Sequence, residues 1–148
     1  MANWREELTE AVKTRAEREA EEAARLRHAL PEALGTAESA FELGVGALRF
    51  ARDRIADKSQ PVELELTPTG DAPSTARLLL GAPGAPGSLV LGVQIDRETA
   101  IVKVHVAETK PREFDFAKDR HIAALDVEEY VGRRAVELVR SAQKATPW

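Results

Sequence analysis

The chain contains no cysteine, which excludes a disulfide framework, a thiolate metal site and a cysteine nucleophile. Aromatic residues are sparse at two Trp, one Tyr and four Phe. That leaves no evident stacking platform for single-stranded nucleic acid once packing is served. Only His28, His105 and His121 offer an unperturbed side chain that titrates near neutrality. Positive charge is not in surplus either: 21 Lys and Arg stand against 25 Asp and Glu, for a formal net charge of -4. The attraction on which most nucleic-acid binders depend is therefore missing, and no nucleic-acid partner is expected. Long apolar runs are absent. The longest weakly polar stretch, Gly35 to Phe50, is interrupted by Glu38 and Glu42 and falls short of the run of about 20 residues that a spanning helix needs. The opening residues lack an apolar stretch behind a basic flank, so neither a secretory signal nor a membrane partner is expected, and a cytoplasmic location is the default.

What the chain does have is organised in segments. Residues 3 to 57 contain one proline and read as helix, residues 61 to 116 carry six prolines and read as strands, and residues 126 to 145 read as helix again. Helix, then sheet, then helix indicates α+β rather than alternating α/β. A length of 148 residues fits one domain over residues 1–148 and allows roughly 70% of the chain's surface to be buried.

In the first segment Leu8, Val12, Ala16, Ala20, Ala23, Leu26 and Leu30 recur at steps of three and four. They draw a thin apolar stripe along a helix from Asn3 to Leu30, which Trp4 extends by one turn, and charges of both signs fill the other sides. Pro31 lacks an amide proton and disfavours helical angles at Leu30, so a break is expected there, with a second helix starting at the proline. Whether the two fold back as a hairpin or run on as one kinked rod is open. The second stripe is more regular: Leu34, Ala37, Phe41, Gly44, Leu48, Ala51 and Ile55, widened by Ala33, Ala40 and Ala47. Gly35, Gly44 and Gly46 each cost about 1 kcal/mol in a helix interior relative to alanine. Three such costs point to something packed closely against the backbone, either the chain's own sheet or first helix, or a second copy or another protein. On the latter reading the interface is Leu34, Ala37, Ala40, Phe41, Gly44, Ala47 and Leu48.

Period-two alternation marks the strands. Val62, Leu64 and Leu66 alternate with Glu63, Glu65 and Thr67; further runs are Ala76 to Leu80, Leu89 to Ile95 and Ala100 to Ala107, with a short fifth at Glu113 to Phe116 whose two phenylalanines face inward. Short connections favour an antiparallel meander of four or five strands. The opposite face is expected to be polar and salt-bridged, with Arg77 and Lys103 available to Glu63 and Glu65 and an apolar patch of Leu79, Val90 and Ile101. The last helix is expected to begin at an acidic cap, Asp126, and to pack on one sheet face through Val127, Val131, Ala135 and Leu138.

Chemistry-bearing motifs are few. The loop from Gly81 to Gly87 lacks the Gly-Lys-Ser/Thr ending of a phosphate loop. Gly44-Val45-Gly46 lacks the third glycine and the preceding strand of a dinucleotide fingerprint. None of the serines at 39, 59, 74, 88 and 141 lies in a nucleophile elbow. On the last helix the basic residues Arg133, Arg134, Arg140 and Lys144 are interleaved with Glu129 and Glu137, which intrahelical pairing explains. No cofactor and no metal ion is expected. Two readings of function remain. The first is a non-catalytic, adaptor- or chaperone-like module that binds a protein or a second copy through its N-terminal helices; a helix-flanked meander resembles such folds in outline, without a shared motif. The second is a small-molecule-binding or hydrolytic domain whose cleft site draws on His105, Asp119 and His121.

Overall fold

Thr14 sets the point at which the N-terminal helical stretch divides. Its hydroxyl accepts a hydrogen bond from the Glu17 N–H at 3.2 Å, an N-cap that starts a new helix at residue 15. In the computed structural model, which describes residues 3–68, 72–81, 89–106, 109–145 and 147–148, α1 spans Trp4–Ala11 and α2 spans Arg15–Ala56. The expected break at Pro31 does not occur, because α2 runs through the proline as one helix of 42 residues. Pro31 and Arg27 are both exposed, so the carbonyl that loses its amide partner can be served by water. From Leu30 onward the helix is held to the core side chain by side chain, which outweighs the local preference of a residue before proline.

Five strands follow, β1 (Val62–Thr67), β2 (Thr75–Leu80), β3 (Leu89–Asp96), β4 (Ile101–Val106) and β5 (Arg112–Asp115), and then α3 (Ala124–Ala145). All neighbours are antiparallel and the spatial order is the chain order, β1-β2-β3-β4-β5. This is the expected α+β meander. Asp126 does not open α3; it lies within the first turn and accepts the Ala123 N–H at 2.7 Å, so the helix begins two residues earlier than the acidic cap suggested. Both α2 and α3 lie on one face of the sheet and against each other. The core between them includes Leu48, Leu78, Leu91, Val93, Val102, Val104, Val127 and Val131, each essentially without exposure.

Gly44 lies at the closest approach of these layers. A Cβ built there would meet Val93 Cγ1 at 3.4 Å, Val127 Cγ1 at 3.6 Å and Val131 Cγ2 at 3.6 Å. The other two helical glycines of α2 differ: around Gly35 and Gly46 nothing lies within 4 Å of such an atom. Their cost in helix propensity is therefore uncompensated within the chain. Gly35→Ala and Gly46→Ala should each stabilise the protein by about 0.5–1 kcal/mol, seen as a rise of roughly 2–4 °C per kcal/mol in a thermal melt.

Arg97 binds the β3–β4 turn to the rest of the molecule. Its guanidinium donates to Glu38 Oε1 of α2 (3.2 Å), Ser74 Oγ (2.8 Å) and the Pro73 carbonyl (2.9 Å). Nothing in the spacing of the sequence singled this residue out, since its three partners lie 59, 23 and 24 positions away.

Candidate functional site

The seven residues of the expected interface on the second stripe do not form a free surface. Ala37, Ala40, Phe41, Gly44 and Leu48 are buried, and Leu34 and Ala47 are partly buried against the same core. The close packing anticipated at Gly44 is supplied by β3 and α3 of the same chain. Enlarging Ala40 or Gly44 would therefore disturb the fold rather than probe an association.

Exposed apolar side chains lie further toward the N-terminus. On α1 and its cap Trp4, Leu8 and Val12 are 65%, 54% and 66% exposed, and no residue of α1 is buried. Steps of four place the three on one side of the helix. Beyond them α2 has no buried residue before Ala33 among its described side chains, so several helical turns extend away from the core. The junction between α1 and α2 is braced. Lys13 Nζ lies 2.6 Å from Glu10 Oε2 and 2.9 Å from Glu21 Oε1, and Arg18 donates to the Glu10 carbonyl at 3.3 Å. The hydrogen bond from Lys13 holds the Glu10 carboxyl below its usual range, and the same bond pushes Lys13 up. Glu6, Glu7 and Glu10 on α1 oppose adsorption to an anionic lipid surface.

The alternative trio does not converge. His105 stands on the sheet face away from the helices, in register with Gly92 on β3, Arg77 on β2 and Glu65 on β1. Asp119 and His121 follow β5 at the other end of β4: Phe116 N–H bonds to the Ala100 carbonyl, Asp119 N–H to the Asp115 carbonyl and His121 N–H to Asp119 Oδ1. Five strand residues, about 16 Å, and the thickness of the sheet separate that end from His105. Asp119 instead lines a shallow depression of about 100 Å³ with Glu32 and Thr36 of α2, well below the roughly 300 Å³ at which ligand pockets begin. A larger hollow of about 310 Å³ lies around Arg97, Ser74 and Lys103, but the Arg97 guanidinium is already spent on Glu38, Ser74 and Pro73. Among the described residues no group of three or more His, Asp or Glu is placed to hold a metal ion.

On the open face the pairing differs in detail from expectation. Glu65 faces Arg77 at 3.8 Å, but Lys103 pairs with Glu113 of the neighbouring β5 at 3.5 Å, because β4 is three strands away from β1. Leu79 and Val90 are cross-strand partners at one end, whereas Ile101 pairs with Asp96 and Asp115 at the other. Val90 and Asp96 are six residues apart on β3, roughly 20 Å, so the three do not form one patch. Gly44-Val45-Gly46 lies inside α2, and residues 82–87 of the glycine-proline loop lie outside the described residues. Arg133 pairs with Glu129 at 2.8 Å, as the four-residue spacing anticipated, whereas Glu137 pairs with Arg134 at 2.9 Å rather than with Arg133.

His105 itself covers Gly92; a Cβ at that glycine would overlap the imidazole ring. Burial lowers the pKa of His105 from its ordinary 6.5, and the nearby Arg77 guanidinium lowers it further. The unfolded chain therefore takes up this proton first as pH falls. The contribution of His105 to stability is full above about 6.5 and declines as pH drops below it toward the folded value. In an NMR titration the His105 resonance should move below pH 6.5, and Gly92→Ala, by displacing the ring into solvent, should return it toward 6.5. An unchanged midpoint in Gly92→Ala would show that the ring does not rest on the glycine.

Among the described residues no helix is long and apolar enough to cross a membrane. Comparison of the chain with protein-family models, with curated proteins and with solved structures finds no match.

Proposed function

We propose that this chain is a non-catalytic binding or assembly module that engages a protein, either a second copy or a different chain, through α1 and the first turns of α2. One observation carries the proposal. Trp4, Leu8 and Val12 present large apolar side chains on one side of a helix that buries nothing of its own. Isolated helices of this length are marginal in water, and an exposed apolar stripe on one is stabilised when something covers it. The cleft reading has no comparable support, since His105 lies apart from Asp119 and His121.

The test is the solution mass by light scattering after size exclusion, at two concentrations, for the natural chain and for a variant carrying Trp4→Glu, Leu8→Glu and Val12→Glu. If a second copy covers the stripe, the mass exceeds 16.2 kDa in the natural chain and falls to that value in the variant. A monomer at both concentrations assigns the stripe to a different protein. Where the natural chain is a monomer, the variant should melt within about 2 °C of it, because the altered side chains contribute no core area. Where it is a dimer, the variant should lose only the concentration-dependent part of the stability that association supplies. A markedly lower melting temperature in the variant of a chain that is monomeric at both concentrations would show that the stripe packs on its own chain and would overturn the proposal.

A further inference from the structure

The two edges of the sheet are not equally protected, and the difference follows from the hydrogen-bond register. In an antiparallel pair only alternate residues exchange bonds with the neighbouring strand. The Gly81 N–H bonds to the Pro61 carbonyl at 2.9 Å. With Val62 opposite Leu80 and Glu63 opposite Leu79, this phase directs Glu63, Glu65 and Thr67 at β2. The N–H and C=O groups of Val62, Leu64 and Leu66 point the other way, out from the edge. Among the described residues nothing hydrogen-bonds to these six groups. The opposite edge is short and partly closed: β5 has four residues, Pro111 before it has no N–H, and the outward Asp115 carbonyl accepts the Asp119 N–H at 2.9 Å.

We infer that the β1 edge accepts an extended peptide as a sixth antiparallel strand, one whose residues alternate between apolar and basic. Three observations specify that occupant. The outward backbone groups repeat at the spacing of a strand, which an added strand satisfies in full. Val62, Leu64 and Leu66 are only partly buried and continue the helix-covered face to its limit, so the apolar residues of the added strand would extend the same core. On the other face Glu63 and Glu65 are exposed. Glu63 lies opposite Leu79 rather than a cation, and Glu65 meets Arg77 only at 3.8 Å. Opposite-charge pairs across strands stabilise and like charges destabilise. A second copy is the wrong occupant by the same rule, since pairing β1 with itself about Leu64 sets Glu63 opposite Glu65 twice.

The experiment uses the full chain labelled for NMR and seven-residue peptides that alternate valine with lysine or valine with glutamate. The lysine peptide should shift the Val62, Leu64 and Leu66 amide resonances and slow their hydrogen exchange. The glutamate peptide should bind at least tenfold more weakly, and N-methylation along the bonding edge of the lysine peptide should abolish binding. Reversing the charges with Glu63→Lys and Glu65→Lys should exchange the preference without affecting the backbone edge. Equal binding of both peptides, shifts confined to other residues, or no shift at millimolar lysine peptide would each overturn the inference. Slowed exchange at these amides together with a doubled mass in the absence of peptide would overturn it in favour of a second copy. The site is independent of α1, so the variant with three glutamates there should bind the lysine peptide unchanged.

Discussion

Gly44→Leu is expected to destabilise the chain by roughly 2–3 kcal/mol, the range for forcing extra methylenes into a packed interior. The first atom added already meets Val93, Val127 and Val131 at 3.4–3.6 Å, and three more carbons have no room unless α2 lifts from β3 or α3 moves away. Neither movement is local, since α2 and α3 share the same sheet face. Gly46→Leu, two residues along the same helix, should instead be neutral or stabilising, because a side chain there enters open space and leucine is the better helix former by somewhat under 1 kcal/mol. Urea denaturation followed by circular dichroism measures both, and a fall in midpoint at constant slope is the expected signature for Gly44→Leu. Equal midpoints for the two variants would mean that the layers do not meet at Gly44.

Leu48→Ala should be at least as damaging, at about 3 kcal/mol within the 2–5 kcal/mol found for truncating buried leucines. Leu48 has no exposure and sits where α2 contributes its largest fully buried side chain to the core, so the space it leaves cannot fill with water. Against a total stability of about 5–15 kcal/mol for a domain, that is a large share. Leu125→Ala provides the control. It removes the same atoms from a helix, but Leu125 is 64% exposed, and the change should stay within about 0.5 kcal/mol. A thermal melt of the two variants side by side decides the matter; similar losses would place Leu125 against a surface that the fold does not show.

Much of the architecture was legible because it is written in local periodicities. Val62, Leu64 and Leu66 alternate with charged neighbours, and each strand that follows keeps the same two-residue phase, so the inner and outer faces could be assigned before any pairing was known. Ala37, Phe41, Gly44 and Leu48 recur at helical spacing and do line one face. The single helix expected from Asn3 to Leu30 is instead divided between α1 and α2. Thr14 followed three residues later by Glu17 carries that signal, but Pro31 is the louder local one. It misled because a missing hydrogen bond on a water-facing side of a helix costs less than interrupting the packing of Leu30 through Ile55.

The candidate sites were less legible, since each depends on what a face meets rather than on what it is made of. A stripe of small residues looks the same whether its own sheet or a stranger covers it, and only the packing of Gly44 on Val93, Val127 and Val131 tells them apart. Likewise His105, Asp119 and His121 are close in sequence, yet an antiparallel turn sends the last two to the far end of β4.

The amino-acid sequence by itself therefore determined the α+β class, the strand faces and the core stripes, because side-chain spacing of 2 or about 3.6 residues is set by the geometry of a single strand or helix. Only the tertiary structure decided that α2 passes through Pro31, that His105 rests on Gly92, and that Val62, Leu64 and Leu66 turn their backbone groups outward. Those outcomes depend on strand register and layer contact, which are made between residues far apart in the chain and leave no local period to read.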